Sequence, residues 1–112
     1  MNPQVKFVLF EPSHPGNVGA AARAIKTMGF DLLCLINPKE HPHPEARARS
    51  SGALDVLLDA EVCDNLNDAI ENCGLVVGTT SRTRRISAST STIRDIASSI
   101  VNKAKHKPVA IL

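Results

Sequence analysis

Three arginines lie within four residues of one another in this 112-residue chain: Arg82, Arg84 and Arg85. Because a guanidinium presents a planar fork of N–H donors, such a cluster suits the oxygens of phosphate groups. Three residues with small hydroxyl side chains directly precede the cluster: Thr79, Thr80 and Ser81. Small side chains at the end of a strand let a ligand approach the backbone closely. The residues alone leave two interpretations open, a phosphate-binding loop and a solvated basic loop.

A second group of polar residues follows the first apolar run, within the stretch Glu11–Gly29. Two prolines and a glycine break that run, and an Ala-rich segment then continues to Gly29, so the pattern predicts a strand, a tight loop and a helix. Asn17 is predicted to be the N-cap, because its side-chain oxygen can accept a hydrogen bond from a first-turn N–H. Arg23 is expected about 120° around the helix and ~9 Å along it from Asn17, where its guanidinium can reach the loop or a partner chain.

Alternating strands and helices must position these residues. The continuous apolar runs 5–10 and 31–36 predict buried strands, and the helix predicted at 17–28 provides the crossover between them. The fold class is therefore α/β, with an open, mostly parallel sheet flanked by helices. Further predicted elements are a helical segment at 45–58, a short strand at 60–63, a helix at 66–72 capped by Asp64 and Asn65, a strand at 75–79, an amphipathic helix at 92–105 and a strand at 108–112. The sequence Ser50-Ser51-Gly52 interrupts the first of these, which leaves two short helices or one kinked helix.

The composition excludes several classes of function. Apolar residues make up 43% of the chain, enough for a core, but aromatic residues make up only 3%, which argues against a base-stacking platform for single strands. A net charge of +2 does not indicate nucleic-acid binding without local clustering. The usual glycine-rich motifs for dinucleotides and nucleoside triphosphates do not occur. The longest apolar runs fall far short of a ~20-residue membrane span, so no membrane association is expected.

The cysteines and histidines do not suggest a metal site by their spacing. Cys34, Cys63 and Cys73 contain no C-x-x-C pair, so we expect core thiols and no structural zinc. Unpaired cysteines without a signal sequence fit a reducing cytoplasm. His41 and His43 lie between prolines with no carboxylate cluster nearby, which favours a solvated loop over a metal pair. We therefore expect a cytoplasmic protein without a bound metal.

The segment from Phe10 to Phe30, Phe-Glu-Pro-Ser-His-Pro-Gly-Asn-Val-Gly-Ala-Ala-Ala-Arg-Ala-Ile-Lys-Thr-Met-Gly-Phe, resembles the first motif of the SpoU/TrmH-type RNA 2′-O-methyltransferases of the SPOUT (α/β-knot) superfamily. Three later segments agree with it: Leu-Ile-Asn-Pro, Ser-Gly-Ala-Leu-Asp-Val-Leu and Leu-Val-Val-Gly-Thr-Thr-Ser-Arg-Thr-Arg-Arg. Within the family, the likeness is to the enzymes that methylate the ribose of a pyrimidine in the tRNA anticodon loop.

This resemblance implies S-adenosylmethionine as methyl donor, an RNA substrate, here a tRNA, and a homodimer. It assigns Asn17 to the catalytic site and Arg23 to the target ribose hydroxyl, where a permanently charged guanidinium serves electrostatic stabilisation better than proton abstraction. It assigns three residues to the methyl-donor pocket: Thr79, Thr80 and Ser81. It assigns three residues to an RNA-facing loop: Arg82, Arg84 and Arg85.

The sequence departs from the family pattern after residue 112. The second and third motifs, of Gly-x-Glu-x-x-Gly-Leu and Ser-Leu-Asn type, are absent, and with them the knot and most of the donor pocket. We therefore expect residues 1–112 to be one α/β domain that forms the N-terminal part of a SPOUT methyltransferase domain and is inactive alone. The apolar strand at 108–112 implies either a fragment or a strand covered by a partner. Two alternatives stay open: a non-catalytic RNA-binding or dimerisation module of this fold, and a small-ligand α/β domain unrelated to RNA.

Overall fold

The computed structural model describes residues 4–78, 100 and 102–112 of the chain. Five strands are described: β1 (Val5–Phe10), β2 (Leu32–Ile36), β3 (Glu61–Cys63), β4 (Leu75–Val77) and β5 (Val109–Ile111). Four helices are described as well: α1 (Pro15–Thr27), α2 (Pro44–Ser50), α3 (Leu54–Leu58) and α4 (Leu66–Ile70). Residues 100 and 102–104 are also helical. The strand-and-helix alternation predicted from the apolar runs is confirmed for the described residues, and residues 92–99 of the helix predicted at 92–105 lie outside them.

The five strands form one sheet in the order β3-β2-β1-β5-β4, and every pairing within it is parallel. Strand β1 lies at the centre, with Val8 opposite Cys34 of β2 and Lys6 opposite Ala110 of β5. The prediction of an open parallel sheet is confirmed. The strand predicted at 108–112 is β5, an interior strand that pairs with β1 on one side and β4 on the other.

Side chains on alternate positions of β1 and β2 enter different cores. Phe7 and Leu35 face a cluster that α1, α2 and α3 cover, whereas Val8 and Cys34 face a second cluster under α4. A third cluster on the first face joins β1 and β5 to the helical residues near position 100: Val5, Ile100, Ala104 and Val109. This two-sided burial explains why the strands read as continuous apolar runs.

The interrupted helical segment is two short helices joined by a 3₁₀ turn, Ser51–Ala53. Ser50 is fully buried and its hydroxyl donates a hydrogen bond to the backbone oxygen of Arg47 at 2.8 Å, while Ser51 adopts a left-handed φ of 49°. A side chain bonded to its own helix and a left-handed backbone both end regular helix. Among the described helices, none is long and apolar enough to cross a membrane.

Candidate functional site

The loops that follow β1 and β2 are held by a repeated backbone arrangement at the carboxyl edge of the sheet. Glu11 and Asn37, each the first residue after its strand, both have a φ of 47°. The N–H of Glu11 donates to the carbonyl of Ile36, and the N–H of Asn37 donates to the carbonyl of Cys63, each at 2.8 Å. Each loop is thereby fixed to the end of the neighbouring strand. In parallel sheets, ligands bind outside this edge.

Helix α1 begins two residues earlier than predicted, and Asn17 is not its N-cap. The extended His14 precedes the helix and Pro15 is its first residue, a position where the missing N–H of proline costs no hydrogen bond. The backbone N–H of Asn17 donates to the carbonyl of His14 at 3.0 Å. Asn17 is exposed in the first turn, beside the β1–α1 loop, so its amide is free to contact a ligand.

Arg23 is exposed on the third turn of α1. Its backbone oxygen accepts a hydrogen bond from the Thr27 hydroxyl at 2.9 Å. Its guanidinium makes no ion pair or hydrogen bond with any residue in 4–78, 100 or 102–112. An exposed arginine without an intramolecular partner is available to a ligand or another chain.

Two contacts fix α1 in place. At Gly19, a β-carbon would lie 2.2 Å from the backbone oxygen of Ala46 in α2, so this glycine permits a close approach of the two helices that no other residue allows. At the other end, the Lys26 ammonium donates to both oxygens of the Asp55 carboxylate in α3 at 2.9 Å. The hydrogen bond from Lys26 lowers the pKa of the Asp55 carboxyl. Arg23 lies on α1 between these two contacts.

Arg49 is a basic residue near this helix that the sequence analysis missed. Its β-carbon would lie 2.8 Å from a β-carbon at Gly19, which is one helical turn before Arg23. Arg49 and its neighbour on the same helix, Arg47, are exposed. The small residues at positions 16, 19 and 46 could have indicated this helix contact, because a helix with glycines at this spacing lets another helix approach closely.

The end of β4 emerges at the same edge as the β1–α1 loop, with β5 between them. The spacing of strands places it roughly 10 Å from β1. The N–H of Leu112 donates to the carbonyl of Val77 at 2.8 Å. Next to it, Gly78 is exposed, and no atom of the described residues lies within 4 Å of the place where its β-carbon would be. The predicted donor-pocket and RNA-facing residues lie outside the described residues: Thr79, Thr80, Ser81, Arg82, Arg84 and Arg85.

Of the two histidines that lie between prolines, His41 and His43, the second has a structural role. The Nδ1 atom of His43 accepts a hydrogen bond from the N–H of Glu45 at 3.0 Å and so caps α2. A cavity of about 230 Å³ lies at the opposite, amino-terminal edge of β1 to β3. Its walls include Asp31, Asp55 and Glu61. Because these carboxylates would repel phosphate, the cavity does not suit RNA.

The model of the SpoU rRNA Methylase family matches residues 4–112. The chain belongs to this family. Among SpoU relatives, the tRNA (cytidine/uridine-2′-O-)-methyltransferase TrmJ of Sodalis glossinidius is 43% identical over 108 residues, which make up 96% of this chain and 42% of that protein.

Solved structures of SpoU relatives share the fold. A methylase family protein from Haemophilus influenzae Rd KW20 superimposes with a TM-score of 0.89 at 38% identity, over 99% of this chain and 46% of that one. TrmJ from Z. mobilis ZM4 gives a TM-score of 0.87 at 33% identity, over 100% of this chain and 49% of that one. This SpoU chain therefore spans less than half the length of these relatives.

Proposed function

We propose that residues 1–112 form the N-terminal part of a SPOUT methyltransferase domain that transfers a methyl group to the ribose 2′-oxygen of a tRNA anticodon-loop pyrimidine. The observation that carries this proposal is the exposed Arg23, which lies without an intramolecular partner among the described residues, on a helix that packs closely against α2 at Gly19 and pairs with α3 through Lys26. The proposal includes a cytoplasmic location and a homodimer, both of which rest on the resemblance to the family.

Arg23 stabilises the developing charge on the ribose 2′-oxygen. A ribose hydroxyl is a poor nucleophile near neutral pH, so a fixed positive charge that favours its alkoxide accelerates its attack. A guanidinium stays protonated in proteins, which makes it a charge stabiliser and not a base. Asn17, exposed at the start of the same helix, orients the substrate by hydrogen bonding through its amide.

The methyl-donor pocket begins at the end of β4. S-adenosylmethionine supplies an electrophilic methyl group when it is bound. Among the described residues, no atom lies within 4 Å of the place where a β-carbon of Gly78 would be, which is compatible with a ligand lying against the backbone and supports Thr79, Thr80 and Ser81 as residues that would hold the donor. The family's remaining motifs would complete the pocket, and they follow residue 112 in the family pattern.

The RNA surface combines the basic loop with α2. Three residues in the loop contact RNA phosphates: Arg82, Arg84 and Arg85. Arg49 extends this surface from the neighbouring helix, because it is exposed and packs against the turn of α1 that precedes Arg23. Its ion pair with Glu45 is long, at 4.0 Å, and both side chains are at least half exposed, so phosphate competes for the guanidinium at little cost.

The RNA surface is tested on this chain by the salt dependence of tRNA binding. The triple variant Arg82→Gln, Arg84→Gln, Arg85→Gln should reduce the log–log salt slope by about 2 to 3, because each phosphate contact releases roughly 0.7–0.9 counterions. The matched control removes three charges at the opposite edge of the sheet, by Lys103→Gln, Lys105→Gln and Lys107→Gln. A slope that changes equally in both variants contradicts the assignment of the loop.

The chemistry is tested by methyl transfer from labelled S-adenosylmethionine to unmodified tRNA, using the complete gene product. Arg23→Ala should lower the rate by about 100-fold or more with tRNA binding nearly unchanged, as expected for a group that acts in the transition state. Arg23→Lys should recover only part of this loss, because an ammonium lacks the planar fork. A full rate in Arg23→Ala would refute the catalytic assignment.

A further inference from the structure

Two cysteines from different strands meet on the face of the sheet that α4 covers. The Sγ atoms of Cys34 in β2 and Cys63 in β3 lie 3.7 Å apart, and neither forms a disulfide. Glu61 stands two residues before Cys63 and shares its side of the strand, with its Oε1 atom 3.3 Å from the Cys63 sulfur. One ligand atom from each of these three residues falls within 4.8 Å of the other two.

Lys6 holds the Glu61 carboxylate in position. Its ammonium lies 3.0 Å from Oε2 of Glu61, the oxygen that does not face the thiols, and it donates a second hydrogen bond to the backbone oxygen of Ala69 at 2.9 Å. The Lys6 side chain is only 17% exposed, so it is fixed by its surroundings. Oε1 of Glu61 is thereby aimed at the thiols.

We propose that Cys34, Cys63 and Glu61 bind a divalent thiophilic cation of the zinc class, with Lys6 as an outer-sphere partner of the carboxylate. Tetrahedral zinc with Zn–S bonds of about 2.3 Å requires sulfurs about 3.8 Å apart, and a sulfur–oxygen separation of about 3.5 Å. The observed 3.7 Å between the two sulfurs and 3.3 Å between the Cys63 sulfur and Oε1 of Glu61 are close to these values, and the Cys34 sulfur lies within 4.8 Å of the same oxygen. Hydrogen bonding of a ligating carboxylate to a second residue is the usual arrangement in metal sites.

The charges of the site favour a divalent ion. Two thiolates, one carboxylate and one ammonium sum to −2, so a divalent cation makes the cluster neutral, whereas a monovalent ion leaves a buried negative charge. Binding therefore replaces the two thiol protons by one cation, and both protons leave to solvent. The ion reaches the site from the side of Glu61, whose side chain is 48% exposed and lines the 230 Å³ cavity.

With three protein ligands, a water would complete the tetrahedral coordination, and the effect of such a site on the chain would be to link two strands. Strand β3 has three residues and lies at the edge of the sheet, held to β2 by a short ladder. A cation shared between Cys34 and Cys63 would join β3 to β2. The site also lies away from α1, because α1 packs on the other face of the sheet. Methyl transfer and metal binding are therefore separable, and the failure of one proposal leaves the other intact.

The full chain, reduced with a phosphine and freed of metal, is titrated with Cd²⁺ alone while the sulfur-to-metal charge-transfer absorbance is followed. We expect saturation at one equivalent with the intensity of two Cd–S bonds, displacement by Zn²⁺, and a rise in the thermal unfolding temperature. Cys34→Ala and Cys63→Ala should each remove half of the intensity, whereas Cys73→Ala, a matched thiol in the same core, should leave it unchanged.

Glu61→Gln keeps the experiment decisive if a core cysteine variant fails to fold, because residue 61 is on the surface. It should weaken Cd²⁺ binding about tenfold, and the control Glu71→Gln should have no effect. The proposal is overturned by a folded chain that shows no charge-transfer band at one equivalent. It is also overturned by a band that Cys73→Ala abolishes or that Glu61→Gln and Glu71→Gln affect equally.

Discussion

Replacing Gly19 by alanine should destabilise the protein although alanine favours helix. The new β-carbon would lie 2.2 Å from the backbone oxygen of Ala46 and 2.8 Å from the β-carbon of Arg49. Non-bonded carbon contacts are normally about 3.5 Å, so α1 and α2 must separate by roughly 1 Å. Neither contact atom can rotate away, because one belongs to the backbone and the other is fixed to it.

The magnitude follows from two opposing terms. Overpacking of this kind costs about 1–3 kcal/mol, and a backbone contact this short places Gly19→Ala at the upper end. The gain in helix propensity offsets about 1 kcal/mol. A net loss of about 2 kcal/mol in the free energy of unfolding remains, which lowers the midpoint of thermal unfolding by roughly 10 °C in a chain of this size.

Gly16→Ala is the matched control on the same helix. Its nearest neighbour would be Oε1 of Glu45 at 3.1 Å, the end of an exposed side chain that can move aside. We expect the free energy of unfolding of this variant to lie within about 0.5 kcal/mol of the native value, or slightly above it. Urea unfolding followed by far-ultraviolet circular dichroism measures both. Equal stabilities of the two variants would refute the close-packing argument for Gly19.

Other perturbations test other parts of the fold. Leu35→Ala removes a fully buried side chain and should cost about 2–5 kcal/mol in urea unfolding, whereas Leu58→Ala, at a residue 64% exposed, should change it by under about 0.5 kcal/mol. Asn65→Ala removes the acceptor for the Asp68 N–H at 2.9 Å and should cost about 1 kcal/mol, a loss that Asn65→Ser should largely restore. In the presence of a chelator, Lys6→Met should cost about 1 kcal/mol at neutral pH, because the pair with Glu61 is only partly shielded from solvent. Burial opposes both charges of this pair, but their mutual hydrogen bond prevails, raising the pKa of Lys6 above 10.5 and lowering that of Glu61 below 4.5. The difference in the free energy of unfolding between Lys6→Met and the native chain should therefore shrink at alkaline pH, as Lys6 loses its proton, and at acidic pH, as Glu61 gains one. A difference independent of pH would contradict the ion pair.

Local sequence patterns were sufficient to predict which segments form strands and helices, but they did not always give the residue at which a helix begins. The bounds of β1 were predicted without error, because a prolonged apolar run ended by proline has few alternatives. The start of α1 was misplaced, because Asn17 is a good cap in isolation, whereas Pro15 is a better first residue and shifts the helix two residues earlier. The start of α2 was placed at Glu45 instead of Pro44 for a similar reason, since the cap there is a histidine nitrogen.

Contacts between distant segments could not be predicted from spacing. Nothing in the local pattern of residues 109–111 indicates that they insert between β1 and β4, since any apolar strand fits an interior position. The approach of Cys34 to Cys63 depends on the register of two strands 29 residues apart, so counting residues between cysteines did not reveal it. The helix contact at Gly19 depends likewise on which helix packs beside α1.

The interior position of β5, between β1 and β4, also bears on how the protein folds during synthesis. Among the five strands, β5 is the last to leave the ribosome. Among the described strands, β4 pairs only with β5, and one edge of β1 stays unpaired until β5 is present. Until β5 emerges, the growing chain presents an apolar hydrogen-bonding edge along Val5–Phe10 that can pair with a neighbouring nascent chain. Slow elongation before residue 109 would therefore prolong a period in which aggregation competes with folding, and a chaperone that covers exposed strands would raise the yield.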